Sequence, residues 1–290
     1  MKQDQVVHAL AWNERVRVIA ASMTHAVQHA VNVHQTEATA SAALGRTLIG
    51  ARLLQASVKD TERITIQIKG DGPTGLIVAR ALPGGDVYGS IQNPNVHLPP
   101  RPDDHLDVGA AVGHHGELVV VRDTGRYAEP YVGITNLVSG EIGDDLANYL
   151  LSSEQIKSAV ILGVMMGPEG KVMGAGGVLI QILGGLEESE LDKLENRVFA
   201  LQNISERMAD GDDPTSLLQA LFADDLRILD TKPVQYHCDR GREYYAQALG
   251  NMNETSIREI FEDEERIELT CEFTRETFVF ERSEFPNLST

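Results

Sequence analysis

Residues 63–78 read RITIQIKGDGPTGLIV. Isoleucine occupies every second position from residue 64 to residue 68, with polar residues between, which is the period of a strand that buries one face. The glycines and the proline of residues 70–73 favour a turn, and an apolar run resumes at residues 76–78. The stretch predicts a β-hairpin and, through it, an antiparallel sheet.

The residues on either side of this hairpin predict the rest of one domain. Before it, apolar residues recur with helical spacing over 13–34 and again over 39–59, which predicts two helices. After it come predicted strands at 87–93, 117–122, 130–137, 158–166 and 177–183 and a predicted helix at 139–153. We therefore predict an α+β fold in which residues 1–183 form a core domain built on an antiparallel sheet.

Residues 184–230 are predicted to be a helical linker, because Gly184-Gly185 ends the strand pattern. Apolar residues at spacings of three and four then indicate one amphipathic helix with a narrow apolar stripe. The stripe consists of Leu191, Leu194, Val198, Leu201, Ile204 and Met208. Asp213 followed by Pro214 predicts the start of a second helix, since aspartate caps helix N-termini and proline is favoured in the first turn.

The last segment, residues 231–290, is predicted to be a small domain with two short helices and a terminal hairpin. It lies in the most acidic part of a chain whose net charge is −18: residues 187–290 carry 25 acidic and 11 basic side chains. A field of this sign repels phosphate backbones, so we expect no nucleic-acid partner. It also makes the C-terminal region prone to self-repulsion, and we expect that region to be loosely stable.

Several other classes of protein are excluded. The longest apolar run, residues 159–166, is far short of the ~20 residues that span a bilayer, so we expect no membrane association. No secretory signal is recognisable, and two cysteines in such a chain are expected to be thiols in a reducing cytoplasm. His25 and His29 could face one metal ion, but the glutamate of a zinc-protease helix is missing. Without a nucleophile, base and oxyanion donors together, we expect no enzyme.

Six short strings, taken together, carry more information than any single motif. They are TASAALGRTL at 39–48, QIKGDGP at 67–73, LDVG at 106–109, LVSGEI at 137–142, SEQ at 153–155 and AGG at 175–177. With them the chain resembles the heat-shock protein 33 family over nearly its full length. The resemblance implies a cytoplasmic, ATP-independent holdase chaperone that binds unfolding client proteins under oxidative or heat stress. It also implies a core domain, a helical linker, a C-terminal α/β domain of the zinc-binding type and an active homodimer.

The resemblance also directs attention to the cysteines. The family pattern is Cys-x-Cys, about thirty residues, then Cys-x-x-Cys, with four thiolates around one zinc ion. Here Cys238 falls on the first position and Cys271 on the third, while Arg240 and Thr274 occupy the second and fourth. Arginine cannot ligate zinc and a threonine hydroxyl is a poor ligand, so we expect no tightly held zinc.

The family's redox switch is therefore incomplete in this chain. Oxidation in the family pairs neighbouring cysteines within each motif, releases zinc and unfolds the domain. Here only Cys238 and Cys271 remain, and two positions that shared one metal would lie within about 4 Å of each other. A disulfide between them would stabilise the domain by about 3–4 kcal/mol in the chain-entropy model. We expect activation to rely on partial unfolding, with the linker stripe as the candidate client-binding surface.

Two alternatives to this reading stay open from the sequence. One is a zinc-bound, oxidation-triggered chaperone in which His237 and Asp239 act as improvised ligands beside the two thiolates. The other is an interaction module without chaperone activity, which would use the stripe from Leu191 to Met208 to dock one specific partner.

Overall fold

The first 34 residues form a β-hairpin and one helix, so the helix predicted over residues 13–34 is wrong in its first half. The structure is a computed structural model, and it describes residues 3–125, 129–201, 203–261 and 264–285. Strand β1 is Gln5–Ala11, strand β2 is Val16–Ser22 and helix α1 is Thr24–His34. Both faces of β2 are covered by other elements, and five of its seven residues are apolar. A strand of this kind lacks the alternation that separates it from a buried helix.

The remaining elements follow in chain order. The first group is α2 (Ala38–Ser57), β3 (Arg63–Gly70), β4 (Leu76–Ala81), β5 (Asp86–Ile91), α3 (Val108–Val112), β6 (Gly116–Asp123) and β7 (Tyr131–Asn136). The second group is α4 (Gly143–Ser152), β8 (Ser158–Met166), β9 (Val172–Ile182), α5 (Glu188–Phe199), α6 (Ile204–Ala209) and α7 (Pro214–Phe222). The third group is β10 (Leu226–Pro233), β11 (Gln235–Tyr236), α8 (Arg242–Gly250), α9 (Glu254–Phe261), β12 (Arg266–Thr270) and β13 (Thr277–Glu281).

The strands up to residue 236 form two sheets. A five-stranded antiparallel sheet has the order β10-β1-β2-β9-β8, and a six-stranded sheet has the order β11-β5-β4-β3-β6-β7. The predicted hairpin is the β3–β4 pair, in which Ile64 lies opposite Ala81 and Ile68 opposite Ile77. Among the described strands, only the short β11 runs parallel to its neighbour. The predicted α+β class with antiparallel sheets is confirmed.

Helix α2 is the centre of the first core, because it contacts strands of both sheets. It is buried around its whole circumference, which explains why its sequence is rich in alanine. Two glycines let its neighbours approach closely. A Cβ atom at Gly45 would lie 2.8 Å from a methyl group of Val27, and one at Gly50 would lie 2.5 Å from a methyl group of Leu146. The core between the sheets therefore depends on small residues along this helix.

The chain divides into two compact units, residues 1–236 and residues 237–290. The first unit extends through the predicted linker, because α5–α7 pack on the five-stranded sheet and β10 completes its edge by pairing with β1. The second unit contains α8, α9 and the β12–β13 hairpin, in which Ile267 lies opposite Phe280 and Leu269 opposite Phe278. In the described parts of the chain, no helix is both long and apolar enough to cross a membrane.

Candidate functional site

The outer face of the five-stranded sheet is apolar and is covered by helices. The inner face packs against α1 and α2, whereas the outer face presents Val7, Ala9, Ala11, Val16, Val18, Ala20, Val178 and Ile180. We call α5–α7, residues 188–222, the helical cover. The cover contributes Leu194, Leu201, Ile204, Met208, Leu217, Leu218, Leu221 and Phe222 to a second hydrophobic core against this face. Separation of the cover from the sheet would expose apolar surface on both sides.

The stripe predicted from the sequence lies in this second core. Leu194, Leu201, Ile204 and Met208 are buried, and Leu191 and Val198 are half-buried. The stripe is not carried by one helix as predicted, because α5 ends at Phe199 and α6 begins at Ile204. The break lets the two helices follow separate parts of the sheet. In this state the stripe is a covered surface and not an exposed one.

Helix α6 lies directly on glycines of the sheet. A Cβ atom at Gly174 would come within 2.2 Å of the Ser205 carbonyl oxygen and 2.5 Å of the Ala209 nitrogen. A Cβ atom at Gly163 would lie 2.6 Å from a methyl group of Ile204. The helix occupies the space that side chains would otherwise fill, so its position depends on the absence of side chains at these strand positions. These glycines are functional candidates that sequence reasoning missed.

Polar contacts fix the ends of helix α5. The Arg15 guanidinium donates to both carboxylate oxygens of Glu190 at 2.8 and 2.6 Å, and also to the carbonyl oxygen of Gly185 at 2.8 Å. This pairing with Arg15 lowers the pKa of Glu190 to about 2. At the other end, the Arg197 guanidinium lies 4.9 Å from the ring centroid of Trp12. Both contacts join the cover to the β1–β2 turn, a connection over more than 170 residues that sequence spacing does not reveal.

An apolar groove already opens beside the cover. A cavity of about 320 Å³ lies between α5 and the edge of the five-stranded sheet, lined by Ala159, Ile180, Ile182, Leu191 and Val198 among others. Phe199 at its rim is 70 % exposed. An exposed apolar side chain beside an apolar groove extends the contiguous apolar surface, and contiguous apolar surfaces commonly mark interaction sites. The cover therefore hides most, but not all, of an apolar binding surface.

The second candidate site is the cysteine pair in the second unit. Cys271 directly follows strand β12 and is completely buried, and its backbone nitrogen donates to the Glu276 carbonyl oxygen at 2.8 Å. Cys238 lies just before α8 and is half-buried. The Cys238 thiol donates a hydrogen bond to the sulfur of Cys271, and both residues are free thiols. The structure thus places the two cysteines in contact.

The two thiols differ in acidity. Burial, reinforced by the neighbouring Cys271, raises the pKa of Cys238 to about 12. Burial also opposes ionisation of Cys271, but hydrogen bonds from the hydroxyls of Thr274 and Tyr245 and from backbone amides outweigh it and lower the pKa of Cys271. The thiolate is the nucleophile in cysteine chemistry. Cys271 is therefore the more acidic thiol of the pair, and its burial limits access to it.

Arg240, at a position where the resemblance implies a zinc-ligating cysteine, makes contacts of its own in this structure. Its guanidinium lies 4.9 Å from the ring centroid of Tyr244 and 5.0 Å from that of Phe273, and its Nη1 atom is 3.7 Å from Glu272 Oε1. The side chain is only 16 % exposed. Cation–π contacts of this kind stabilise by about 0.5–2 kcal/mol each, more when desolvated. Arg240 thus joins the segment around Cys238 to the hairpin tip, a connection that a shared metal ion would otherwise make.

The residues present do not fit the zinc ion that the resemblance implies. A structural zinc site needs four ligands, almost always cysteine or histidine. Here a guanidinium stands at the second position, and the Thr274 hydroxyl at the fourth is engaged with Cys271. His237 and Asp239 are exposed, and no group of three histidine, cysteine, aspartate or glutamate residues within the described segments could hold a metal ion.

We expect the purified chain to contain far less than one zinc ion per molecule. Two thiols, one with a strongly raised pKa, do not supply the roughly 10–16 kcal/mol of apparent binding free energy of a complete structural zinc site. Elemental analysis with thiol counting measures this directly. A strong chelator should leave amide exchange in residues 237–285 unchanged. One tightly held zinc per chain, or loss of protection on chelation, would contradict the expectation.

Substitution Arg240→Ala should destabilise the second unit by about 1–2 kcal/mol, because it removes two cation–π contacts and a partly exposed ion pair. Hydrogen–deuterium exchange across residues 237–285 measures the change. Arg240→Met is the matched control, since it keeps the apolar stem and removes only the charge. If both variants were as stable as the parent chain, Arg240 would have no such bridging role.

Comparisons with known proteins agree with this geometry. The sequence model of a family described as Hsp33 protein matches residues 4–281. The 33 kDa chaperonin of Bacillus pumilus is 37 % identical over 285 residues, which are 98 % of each chain. The 33 kDa chaperonin of Geobacillus kaustophilus is 40 % identical over 286 residues, 98 % of this chain and 97 % of the relative.

A solved structure is also similar. The crystal structure of the 33 kDa chaperonin, a heat shock protein 33 homologue from Thermotoga maritima, superposes with a TM-score of 0.87 at 32 % sequence identity. The match covers 99 % of this chain and 98 % of the other. The relatives bear the name of a chaperone and not of an enzyme, which confirms the expectation that this chain is not an enzyme.

Proposed function

The chain belongs to the Hsp33 family and is a chaperone, and from this premise we propose that it is an ATP-independent holdase that binds unfolding proteins with the surface under its helical cover. The observation that carries the proposal is the second hydrophobic core. Its two sides are a sheet face and a set of helices, and both are apolar along their whole contact. Release of the helices would expose two complementary strips of apolar surface, to which an unfolding chain binds through the hydrophobic effect.

Charge favours release of the cover under stress. Residues 188–222 carry 8 acidic and 3 basic side chains, and the segment that follows is acidic as well. Like charges in a confined segment oppose its compact state. Few polar contacts among the described residues hold the cover, and in the bidentate pair of Arg15 with Glu190 the two side chains are 32 % and 27 % exposed. We propose that heating loosens the cover before it unfolds the core around α2.

We propose that the cysteine pair acts as a lock and not as the trigger. The Cys271 thiolate would attack hydrogen peroxide to give a sulfenic acid and hydroxide, which takes up a proton to become water. The Cys238 thiol would then displace a second water molecule and form the disulfide. The peroxide is reduced by two electrons and the two thiols are oxidised. Because Cys271 is completely buried, this reaction requires the second unit to open locally first.

The location and assembly of the protein are proposed from the family. We propose a cytoplasmic protein that is a homodimer when active and that binds neither nucleic acid nor membranes. The net charge of −18 supports the exclusion of nucleic acid. Sedimentation before and after heating measures the association state, and an active protein that remained monomeric would contradict the proposed dimer.

The experiment that tests the proposal is suppression of client aggregation. Reduced protein should keep a thermally unfolding client soluble at elevated temperature but not at a lower temperature at which the cover is closed. ATP should not change the suppression, because the proposed holdase is ATP-independent. A chelator should not change it either, because the residues at the cysteine site do not fit a metal. Failure to suppress aggregation under every condition would refute the holdase proposal. Suppression that requires peroxide would refute the assignment of partial unfolding as the trigger.

A further inference from the structure

We propose that a cavity between the two sheets of the first unit binds a small organic anion, a carboxylate carried on an apolar body, with Arg17 as its charged anchor. The cavity has a volume of about 460 Å³ and lies beside the C-terminal end of α2. It is separate from the covered sheet face and from the cysteine pair. The proposal does not depend on the chaperone mechanism.

The first observation is an anomaly in the side-chain pattern of β2. Ile19 and Ala21 point from the inner face of the five-stranded sheet into the core between the sheets. Since strand residues alternate between faces, Arg17 lies on that same inner face. His8 and Gln181 line the same cavity from the neighbouring strands β1 and β9. Three polar side chains thus occupy a place that packing alone would fill with apolar ones.

The second observation is that the charge of Arg17 has no anionic partner among the described residues. Its Nη1 atom donates to the Ser57 carbonyl oxygen and to Gln181 Oε1, both at 3.2 Å and both neutral. Its Nε atom is buried without a hydrogen-bond partner, as is Nε2 of His8. Desolvation lowers the pKa of Arg17 accordingly. Arg17 is half-buried, and a partly desolvated cation without a counter-charge costs free energy that a bound anion would offset.

The other charged side chains that line the cavity are Arg122, Glu154 and Lys59. Arg122 is neutralised by a carboxylate, because its guanidinium donates twice to Glu62. The Glu154 carboxylate accepts a hydrogen bond from the neutral Tyr149 hydroxyl at 2.9 Å, and its negative charge acts on Arg122. Lys59 is exposed and brings a second positive charge to the lining. The cavity therefore attracts one anionic group toward Arg17 and Lys59.

The rest of the lining determines the body of the ligand. The walls are largely aliphatic and include Leu54, Val58, Ile64, Val120, Leu150 and Ile156. The volume lies within the range of roughly 300–1,000 Å³ that is usual for small-molecule sites, and the mixture of apolar walls with a few convergent polar groups is typical of them. An inorganic anion would leave these walls uncovered, and a neutral apolar molecule would leave Arg17 unpaired. A carboxylate of about ten carbon atoms satisfies both requirements.

Isothermal titration calorimetry of the full chain with decanoate and with decanol tests the proposal. Decanoate should bind with one site per chain, and decanol should bind at least about tenfold more weakly because it lacks the charge. Arg17→Met should weaken decanoate binding at least about tenfold, since the anchor is lost while the length of the side chain is kept. Lys69→Met, an exposed substitution on β3 outside the cavity, is the control and should leave binding unchanged.

Two further measurements keep the test decisive. Ile156→Trp should fill the cavity and abolish decanoate binding without touching Arg17. Thermal unfolding of Arg17→Met should occur at or above the temperature of the parent chain, because the variant removes a half-buried cation that has no anionic partner among the described residues. Equal binding of decanol and decanoate, unchanged binding in both variants, or displacement of decanoate by an unfolded client protein would each overturn the proposal. The last outcome would assign the binding to the client surface instead.

Discussion

Substitution Gly174→Val should produce a chaperone that binds clients without heating. The valine side chain cannot be placed while α6 keeps its position, because even its Cβ atom would lie within 2.2 Å of the Ser205 carbonyl oxygen and 3.0 Å of Ala209 Cα. Both of those atoms belong to the backbone, so no rotamer change can relieve the contact. Either α6 leaves the sheet or β9 distorts, and valine itself favours the strand.

The helix should move, because less free energy holds it than holds the strand. Strand β9 pairs with β2 on one side and with β8 on the other over most of its length. Helix α6 has only six residues and contributes Ile204 and Met208 to the second core. Burial of two such side chains is worth about 3–6 kcal/mol, and displacement of the helix forfeits most of that. We therefore expect the cover to be open in a large fraction of the variant molecules at ordinary temperature.

Client aggregation assays at a low temperature, together with hydrogen–deuterium exchange, measure this effect. The variant should suppress aggregation where the parent chain does not, with faster exchange in α6 and unchanged protection in α2. Met173→Val is the matched control, since it places the same side chain at a partly exposed position of the same strand. If Gly174→Val lost protection throughout α2, the fold itself would have failed. If it exposed α6 without any gain in client binding, the surface under the cover would not be the client site.

The close contact between Gly174 and helix α6 is a feature that the sequence could not predict. The hairpin over 63–78, the central helix α2 and the β8–β9 pair could be predicted, because each carries a local pattern of alternation, helical spacing or turn residues. The break between α5 and α6 could not be predicted, because it is set by the strands against which the helices pack. Strand β2 was missed for a related reason, since burial on both faces removes the alternation that identifies a strand.

The cysteine site was predicted in part for equally specific reasons. The spacing and the resemblance indicated that Cys238 and Cys271 would be neighbours, and the structure brings them into hydrogen-bond contact. They could not indicate what Arg240 does. Its role depends on the rings of Tyr244 and Phe273, which lie on different elements and meet only in the folded unit. From the sequence alone, Arg240 was only a lost ligand.

Oxidation of the parent chain should stabilise the second unit, which is the reverse of what the resemblance implies for the family. Neither motif that the resemblance implies can form a local disulfide, because Arg240 and Thr274 stand where those motifs have their second cysteine. The only disulfide that the two cysteines of one chain can form joins Cys238 to Cys271, which are already in contact as thiols. Closing that loop removes conformational entropy from the unfolded state, which is worth about 3–4 kcal/mol in the chain-entropy model.

Hydrogen–deuterium exchange of residues 237–285 should therefore slow by about two to three orders of magnitude after treatment with peroxide. Mass spectrometry should show the loss of two hydrogen atoms per chain, and non-reducing electrophoresis should show no cross-linked dimer. Cys238→Ser is the control, because it removes the half-buried partner and leaves the buried Cys271 in place. Its exchange should not slow with peroxide.

The oxidised protein should also need a higher temperature for client binding if opening of the second unit precedes release of the cover. The formation of the disulfide should itself accelerate with temperature, since the reactive thiol of Cys271 is inaccessible until the unit opens. Peroxide should thus act slowly in the cold and rapidly near the activation temperature. Faster exchange in the oxidised unit, or stronger client binding after oxidation alone, would contradict the lock and would mean that two cysteines suffice for a trigger.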